Sequence, residues 1–566
     1  MQNKTLNEYL SQLKNLVEEK KFESCIDLLL DAIRQYPDDS KLKLNLGNVY
    51  KVTGEISNAK EIYSSLLLTS YKEIAQNNLA LIMLEEGQID KGIKYAREAI
   101  KNNPNYADAK FNLSLGLFEK KQYSESLEIC NELISDLEYK HRAYELKIRI
   151  NQIVCSWSTF NQTEELLKSN KISVHPFLHV SYVMDEEKNY NNAVKWDNSF
   201  KKDTKNKHFV RSSQMIKLGF LCGEIRDHPT YYLIKNLFIN LKKSNISVFM
   251  FSYNHDENKK SYIEESFDEF VDITDLNFKD GYEKIKSYNL DILVDLTTII
   301  SHNRIGMLDK NIAKIIIAYL AFPGTTGSDI YDYILTDKIT TPESMQKYYK
   351  EIFLYLPDGY QVNNGELNTE VKTKRELYSL PQKGIILGCL NQSFKLDPIF
   401  FSIWIDILYE YENTYLWLLD EGKEMKDNII SFINNKINID RIIFADKVDY
   451  VNHLERIQHI DIALDTRIYN GHTTSIEMLQ AGVPLVTLEG NHFASRVSTS
   501  ILSVLGLKNL ITNSSAEYKD KIISLIDSER RVSIKKTLMH KLKTSKILDN
   551  KHFSENFIKT IVSSLN

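Results

Sequence analysis

The chain has 566 residues, 43% of them hydrophobic and 26% charged, with a net charge of −5. This is an ordinary globular composition, long enough for roughly three to four domains, and too weakly charged to mark nucleic acid as a bulk partner. The five cysteines (Cys25, Cys130, Cys155, Cys222 and Cys389) are scattered and form no C-x-x-C, which excludes a disulfide framework or a cysteine zinc site and fits a reducing compartment. The opening MQNKTLNEYL lacks the apolar run of a signal peptide, and the longest apolar run, near 315–322, is too short to cross a bilayer. The expected location is the cytoplasm, with no membrane partner.

Residues 1–150 repeat. Lys21, Gly54, Gly87 and Lys121 fall at spacings of 33, 33 and 34. Asn45-Leu46, Asn78-Leu79 and Asn112-Leu113 recur in the first helix of successive units, and Pro37 and Pro104 follow the second helix of theirs. Each unit carries two helical patterns, for example 75–86 and 89–101. A period near 34 with paired helices is the tetratricopeptide pattern. Single units cannot bury their apolar faces, so stacking builds the core and leaves a groove. The groove is expected to bind protein or peptide; a spacer or homodimerisation arm is the alternative.

Residues 151–210 read as a connector, with Cys155, Trp157, His175 and Pro176 conspicuous. A lone His-Pro in such a segment reads as packing. In 211–380 the period changes. Apolar runs at 216–221, 246–252, 291–296 and 314–320 predict buried parallel strands, with helices near 231–242 and 277–288. That predicts a doubly wound α/β domain. After the first strand, Gly223 permits a turn and His228 precedes a helix opening at Pro229. A His there can be a base, a sugar ligand or a cap. After the fourth strand, Ala321 to Gly327 is a small-residue loop that lets backbone approach a ligand closely.

A second alternation fills 381–566. Strands are expected at 384–390, 415–419, 441–444, 460–464 and 484–488, and helices near 398–409, 425–436, 452–458 and 552–563; the last could pack back across the two lobes. Between the first strand and helix lie Asn391, Gln392, Ser393, Phe394 and Lys395. A lysine just before a helix start is disfavoured by the dipole, which favours a functional reading over a surface one. The stretch 460–488 matters most. An apolar strand ends at Asp465, and Asn470, Gly471, His472, Thr473 and Thr474 follow. A helix opening at Thr473 or Thr474 aims free N–H groups and a positive dipole end at the loop, which binds phosphate without a metal. Glu477, three residues after Thr474, allows a plain capping box as the alternative. The site would lie at the carboxyl end of a strand, where open α/β sheets bind ligands. Neither a P-loop nor G-x-G-x-x-G occurs at these edges.

Over nearly its whole length the chain resembles the O-linked N-acetylglucosamine transferases, the tetratricopeptide-bearing protein glycosyltransferases that also include SPINDLY-like O-fucosyltransferases. The resemblance rests on the repeats, Cys155-Ser156-Trp157, Ser173-Val174-His175-Pro176, Gly219 with His228-Pro229-Thr230, Phe322-Pro323-Gly324-Thr325-Thr326-Gly327, Asn391-Gln392 with Lys395 and Asp397-Pro398, Leu464-Asp465-Thr466, Asn470-Gly471-His472-Thr473-Thr474, Ala481-Gly482-Val483-Pro484 and Ala494-Ser495-Arg496-Val497. It implies α-helical tetratricopeptide repeats followed by an α/β catalytic region of two facing Rossmann-like domains of the GT-B type. It also implies inverting transfer from a UDP-sugar to proteins, with no metal and no cofactor beyond the UDP-N-acetylglucosamine donor. By the same resemblance, Lys395 contacts the diphosphate with Gln392 beside it, Thr473 and Thr474 bind phosphate, and His472 lies along the diphosphate and sugar. Glu477 holds the ribose, His453 stacks on uracil with Arg456 nearby, Leu320, Ala321 and Pro323 border the sugar, and His228 faces the reacting centre.

The chain departs from the family pattern at four places. Glu477 stands for an Asp, Tyr450 for a Lys near the nucleotide, Ala321 for a Gly, and Arg226-Asp227 for a smaller, uncharged pair. The last two bear on sugar identity more than on reaction type. Fucose from GDP and glucose onto Asn remain alternative transfers, and a repeat scaffold with a silent transferase domain is the non-enzyme alternative.

Overall fold

The computed structural model describes residues 4–19, 21–197, 215–241, 245–300 and 303–565. The chain divides into two compact units, Met1–Ile150 and Asn151–Asn566. The expected connector at 198–210 and the last residue of the helix expected at 231–242 lie outside the described residues.

The first unit is a stack of helix pairs: Leu6–Glu18 with Phe22–Gln35, Ser40–Thr53 with Ile56–Ser65, Lys72–Glu85 with Ile89–Asn102, and Ala107–Glu119 with Tyr123–Leu133. Three of the equivalent turns are left-handed, at Gly54 (φ 85°), Gly87 (φ 73°) and Lys121 (φ 61°). The core forms between pairs. Cys25, Leu29 and Ala32 pack with Leu42 and Leu46, and Ala59, Tyr63 and Leu66 pack with Ala75 and Leu79. The buried Asn112 Nδ2 donates to Asn77 Oδ1 at 2.7 Å, tying one pair to the next. This is the repeat architecture the period predicts.

The second unit holds two parallel sheets. The first has β1 (Ile216–Cys222), β2 (Ile246–Ser252), β3 (Glu269–Asp272), β4 (Leu290–Asp295), β5 (Ala313–Ala318), β6 (Tyr333–Thr336) and β7 (Ile352–Tyr355), in the order β3-β2-β1-β4-β5-β6-β7. The second has β8 (Ile385–Cys389), β9 (Thr414–Leu419), β10 (Ile442–Ala445), β11 (Ile462–Leu464), β12 (Leu485–Leu488) and β13 (Ile511–Thr512), in the order β10-β9-β8-β11-β12-β13. Each order steps outward from the first strand and then reverses, the doubly wound topology of a Rossmann-like domain. Five helices recur below: α1 (Pro229–Ile239), α2 (Pro398–Glu410), α3 (Tyr450–Arg456), α4 (His472–Gln480) and α5 (Asn550–Ser563). Phe557 on α5 stacks on Phe220 at 6.2 Å, so the last helix packs on the first lobe.

Sequence periodicity finds nine of the strands, the short β10, β11 and β12 among them, but not β3, β6, β7 and β13. These four run four residues or fewer. The connector is also more than a linker. Its described part forms helices Phe160–Lys168, Pro176–Val180 and Glu186–Asp197. Trp157 packs 5.0 Å from Phe401 and 4.9 Å from Phe432 in the second lobe. His175 caps its helix, Nδ1 accepting from Phe177 N–H at 3.2 Å. Gly327 of the first lobe meets the third of these helices. Its φ is +70°, and a Cβ there would lie 2.4 Å from the Ala193 carbonyl carbon. Gly327→Ala is therefore expected to cost about 2–4 kcal/mol, read as a lower thermal midpoint of the full chain.

Candidate active site

The site is built on a buried carboxylate. Asp465 follows β11 and is 1% exposed. Its Oδ1 accepts from the N–H groups of Thr466 at 2.9 Å and Gly471 at 2.8 Å, and its Oδ2 accepts from the Thr487 hydroxyl at 2.6 Å. Burial pushes its pKa up, while these donors favour the charged form. The intervening loop is cross-braced. Thr466 Oγ1 donates to Tyr469 O at 2.5 Å, and Asn470 Nδ2 donates to Thr466 O at 2.8 Å. A Cβ at Gly471 would lie 2.8 Å from Ser475 Oγ and 2.9 Å from Asn391 Oδ1, so a larger residue there would displace both side chains.

The loop delivers α4, which opens at His472 rather than at Thr473 or Thr474. Gly471 is its N-cap and no side chain caps it. The capping box considered for Thr474 and Glu477 does not form: Thr474 is the third helical residue, and Glu477 turns to other partners. Among the described residues nothing engages the Thr473 or Thr474 hydroxyl, and the first-turn N–H groups lack intrahelical acceptors.

Lys395 reaches this helix start from a short turn, Ser393–Lys395, after β8. Asp397 caps α2 behind it, Oδ1 accepting from Ile399 N–H at 3.0 Å. Lys395 Nζ donates to Asn470 O at 2.9 Å and sits over the Tyr469 ring, 4.5 Å from its centroid. Burial pulls its pKa down to about 8, against the opposing pull of Asp465 and Cys389. Gln392 heads the same turn with its side chain exposed. His472 stacks on Tyr469 at 4.8 Å. Burial and the Lys395 charge hold its pKa well below the ordinary value, so it is a neutral imidazole.

A second cluster lies further along α4. Glu477, 5% exposed, faces His453 Nε2 at 3.5 Å and accepts a hydrogen bond from the Tyr450 hydroxyl. Arg456 is buried and donates from Nε to His453 Nδ1 at 3.3 Å, so it holds the imidazole in place. Tyr450 stacks on Tyr232 of α1 at 3.6 Å, with the rings 9° from parallel. That stack joins the lobes and brings the start of α1 toward α4.

His228 caps α1, its Nδ1 accepting from Thr230 N–H at 3.3 Å. Burial, then Arg226, pulls its pKa down to about 4. A neutral ring that accepts at Nδ1 carries its proton on Nε2, so the free face of His228 is a donor. The nearby Glu224 carboxylate is committed to Arg226 Nη2 at 2.9 Å. Leu320, Ala321 and Pro323 follow β5. Leu320 has φ +77°, a strained conformation for a branched residue, and Pro323 is buried. Among the described residues no hydrogen bond or ion pair joins these three to Lys395 or His472.

The geometry thus brings Lys395, His472, Thr473 and Thr474 together at one end of α4, and His453, Arg456 and Glu477 along it. Sequence reasoning named Asp465 and Asn470 without a role and did not single out Tyr469 or Tyr232. An acidic residue ending an apolar run was a usable signal for Asp465. Nothing local marks Tyr232, whose partner is far away in the chain. Asp465→Ala would leave the Gly471 N–H and the Thr487 hydroxyl unpaired in the interior. The expected cost is about 2–4 kcal/mol, read by denaturant titration.

The family model described as glycosyl transferase family 41 matches residues 155–368 and 363–557. The probable UDP-N-acetylglucosamine–peptide N-acetylglucosaminyltransferase SEC of Arabidopsis thaliana is 30% identical over 353 residues, covering 60% of this chain and 36% of that protein. The UDP-N-acetylglucosamine–peptide N-acetylglucosaminyltransferase of Caenorhabditis elegans is 22% identical over 541 residues, covering 71% and 47%. The chain therefore spans less than half the length of these curated relatives. A solved mutant of the Thermobaculum terrenum O-GlcNAc transferase shares the fold, with a TM-score of 0.68 at 20% identity, covering 93% of this chain and 97% of that one. Both sheets and the loops built on them fall within the matched segments, and the chain belongs to glycosyltransferase family 41.

Proposed function

We propose that this protein moves N-acetylglucosamine from UDP-N-acetylglucosamine to Ser or Thr hydroxyls of proteins, with inversion and without a metal. One observation carries the reading: a lysine ammonium without a carboxylate partner beside an uncapped helix start with two unengaged hydroxyls. The curated relatives are named for UDP-N-acetylglucosamine and peptide. In this reading the acceptor hydroxyl attacks the anomeric carbon, the bond to the β-phosphate breaks, and negative charge builds on UDP. Lys395, the first N–H groups of α4 and the Thr473 and Thr474 hydroxyls stabilise that charge, with Gln392 at the rim. One such donor is typically worth about 3 kcal/mol. His472, neutral, lies along the diphosphate and sugar.

Glu477 takes the ribose hydroxyls, His453 takes the uracil face with Arg456 behind it, and Leu320, Ala321 and Pro323 shape the sugar side. His228 orients the acceptor through its Nε2 proton. A group protonated there and titrating near 4 is a poor base at neutral pH, so the acceptor proton leaves to a phosphate oxygen or a water. The repeat groove receives the acceptor protein.

Lys395→Ala is expected to lower turnover at least about a hundredfold with the thermal midpoint retained. The charged lysine is the active form, and its free-enzyme pKa is near 8. kcat/KM is therefore expected to fall about tenfold per pH unit above that value, with no acid limb from His228 down to pH 5. UDP should raise the thermal midpoint in the presence of EDTA, and GDP should not. A response to GDP alone would mean a fucose-type donor, and a response to neither would favour the silent scaffold. Intact-mass measurement of labelled protein acceptors separates an N-acetylhexosamine from a hexose.

A further inference from the structure

Lys395 is held in an unusual way. Its ammonium lies 4.5 Å from the Tyr469 ring centroid and has one acceptor among the described residues, the Asn470 carbonyl at 2.9 Å. Among the described residues no carboxylate lies within ion-pair distance, although the buried Asp465 sits just behind the same loop and is occupied by three other donors. The Tyr469 ring is itself wedged. It is 5% exposed, stacks on His472 at 4.8 Å, and meets Phe394 at 5.7 Å and Phe177 of the connector at 5.8 Å. Its hydroxyl makes no hydrogen bond among the described residues, so the ring face is what it offers.

We infer that Tyr469 is a positioning residue for Lys395: its ring face holds the ammonium over the start of α4 in place of a carboxylate, leaving the charge and two N–H donors free for a diphosphate. The inference rests on the nucleotide-sugar reading above. Its physical basis is the ring quadrupole. An aromatic face attracts a cation without neutralising it and without accepting its hydrogen bonds in full. A carboxylate in the same place would cancel the charge that the leaving phosphate needs. The same ring stacks on His472, so one side chain sets the geometry of two groups on the diphosphate path. The titratable groups facing Lys395 are Asp465 and Cys389 from the sheet edge, His472 from α4 and Tyr469 itself. Of these, only Tyr469 presents a ring face to the ammonium; the Phe394 ring lies farther off, at 6.0 Å, against 4.5 Å for Tyr469.

The test compares Tyr469→Leu with the conservative Tyr469→Phe in the full chain. Competitive acetylation at graded pH, quantified by peptide mass spectrometry, reads the titration midpoint of Lys395 without any nucleotide. The ring favours the charged form, so its loss is expected to move the midpoint below the native value of about 8, and Tyr469→Phe is expected to restore it. In parallel, kcat/KM for sugar transfer is expected to fall about tenfold in Tyr469→Leu, with its alkaline limb displaced to lower pH by the same amount. An unchanged midpoint in Tyr469→Leu, or a Phe variant that behaves like the Leu variant, overturns the inference. A displaced midpoint with no transfer by any form, native included, supports the positioning role and refutes the sugar-transfer reading. Circular dichroism of both variants separates local effects from unfolding.

Discussion

The site depends on one buried carboxylate that lies behind its loop. Asp465 is buried at the carboxyl edge of the second sheet and fixes the loop to α4 through Gly471 N–H while gripping β12 through Thr487. A buried charge is tolerated only when its lone pairs are satisfied, and here the donors that satisfy it are the loop itself. The loop therefore has one low-energy shape. That shape fixes where α4 begins, where the Asn470 carbonyl points, and so where Lys395 comes to rest.

The first lobe repeats the device. Asp295 ends β4, the strand in the position equivalent to β11, and its Oδ1 accepts from Thr297 and Thr298 N–H at 3.0 and 2.9 Å. Its Oδ2 accepts from the Tyr331 hydroxyl at 2.7 Å. Each sheet thus turns its chain at the same edge with a buried aspartate that ties the new loop to a neighbouring segment. Doubly wound sheets open their ligand crevice at this reversal of strand order, which is where a rigid loop has the greatest effect on chemistry.

Charge in the crevice follows a consistent pattern. Lys395 has backbone and an aromatic face for company, His472 and His228 are kept neutral by burial and by neighbouring cations, and Glu224 is committed to Arg226. In the proposed reaction such an arrangement is complementary to the charge developing on the leaving diphosphate, because positive charge is present before that charge forms and no carboxylate is paired with the Lys395 ammonium among the described residues. The connector contributes too: Phe177 closes the aromatic wall around Lys395, and Trp157 anchors its segment to the second lobe.

How much of this was legible depended on the range of the interaction. The period of the repeats, the inner strands, the Pro-opened α1 and α2, and the Lys395 and His472–Thr474 loops could be read directly, because helix and strand periods and helix starts are local. The short β3, β6, β7 and β13 could not be read in this way. The sequence left His228 open among base, ligand and cap; the fold placed Thr230 N–H against Nδ1 and so assigned its proton. It left Glu477 open between ribose and capping box; the fold turned it to His453 and Tyr450. By itself, then, the chain determined which elements form and which polar residues end them. Only the tertiary structure decided that Tyr232 meets Tyr450 and that Tyr469 lies under Lys395, because contacts between segments remote in sequence exist only once β8 and β11 have paired within one sheet and the two lobes have packed together.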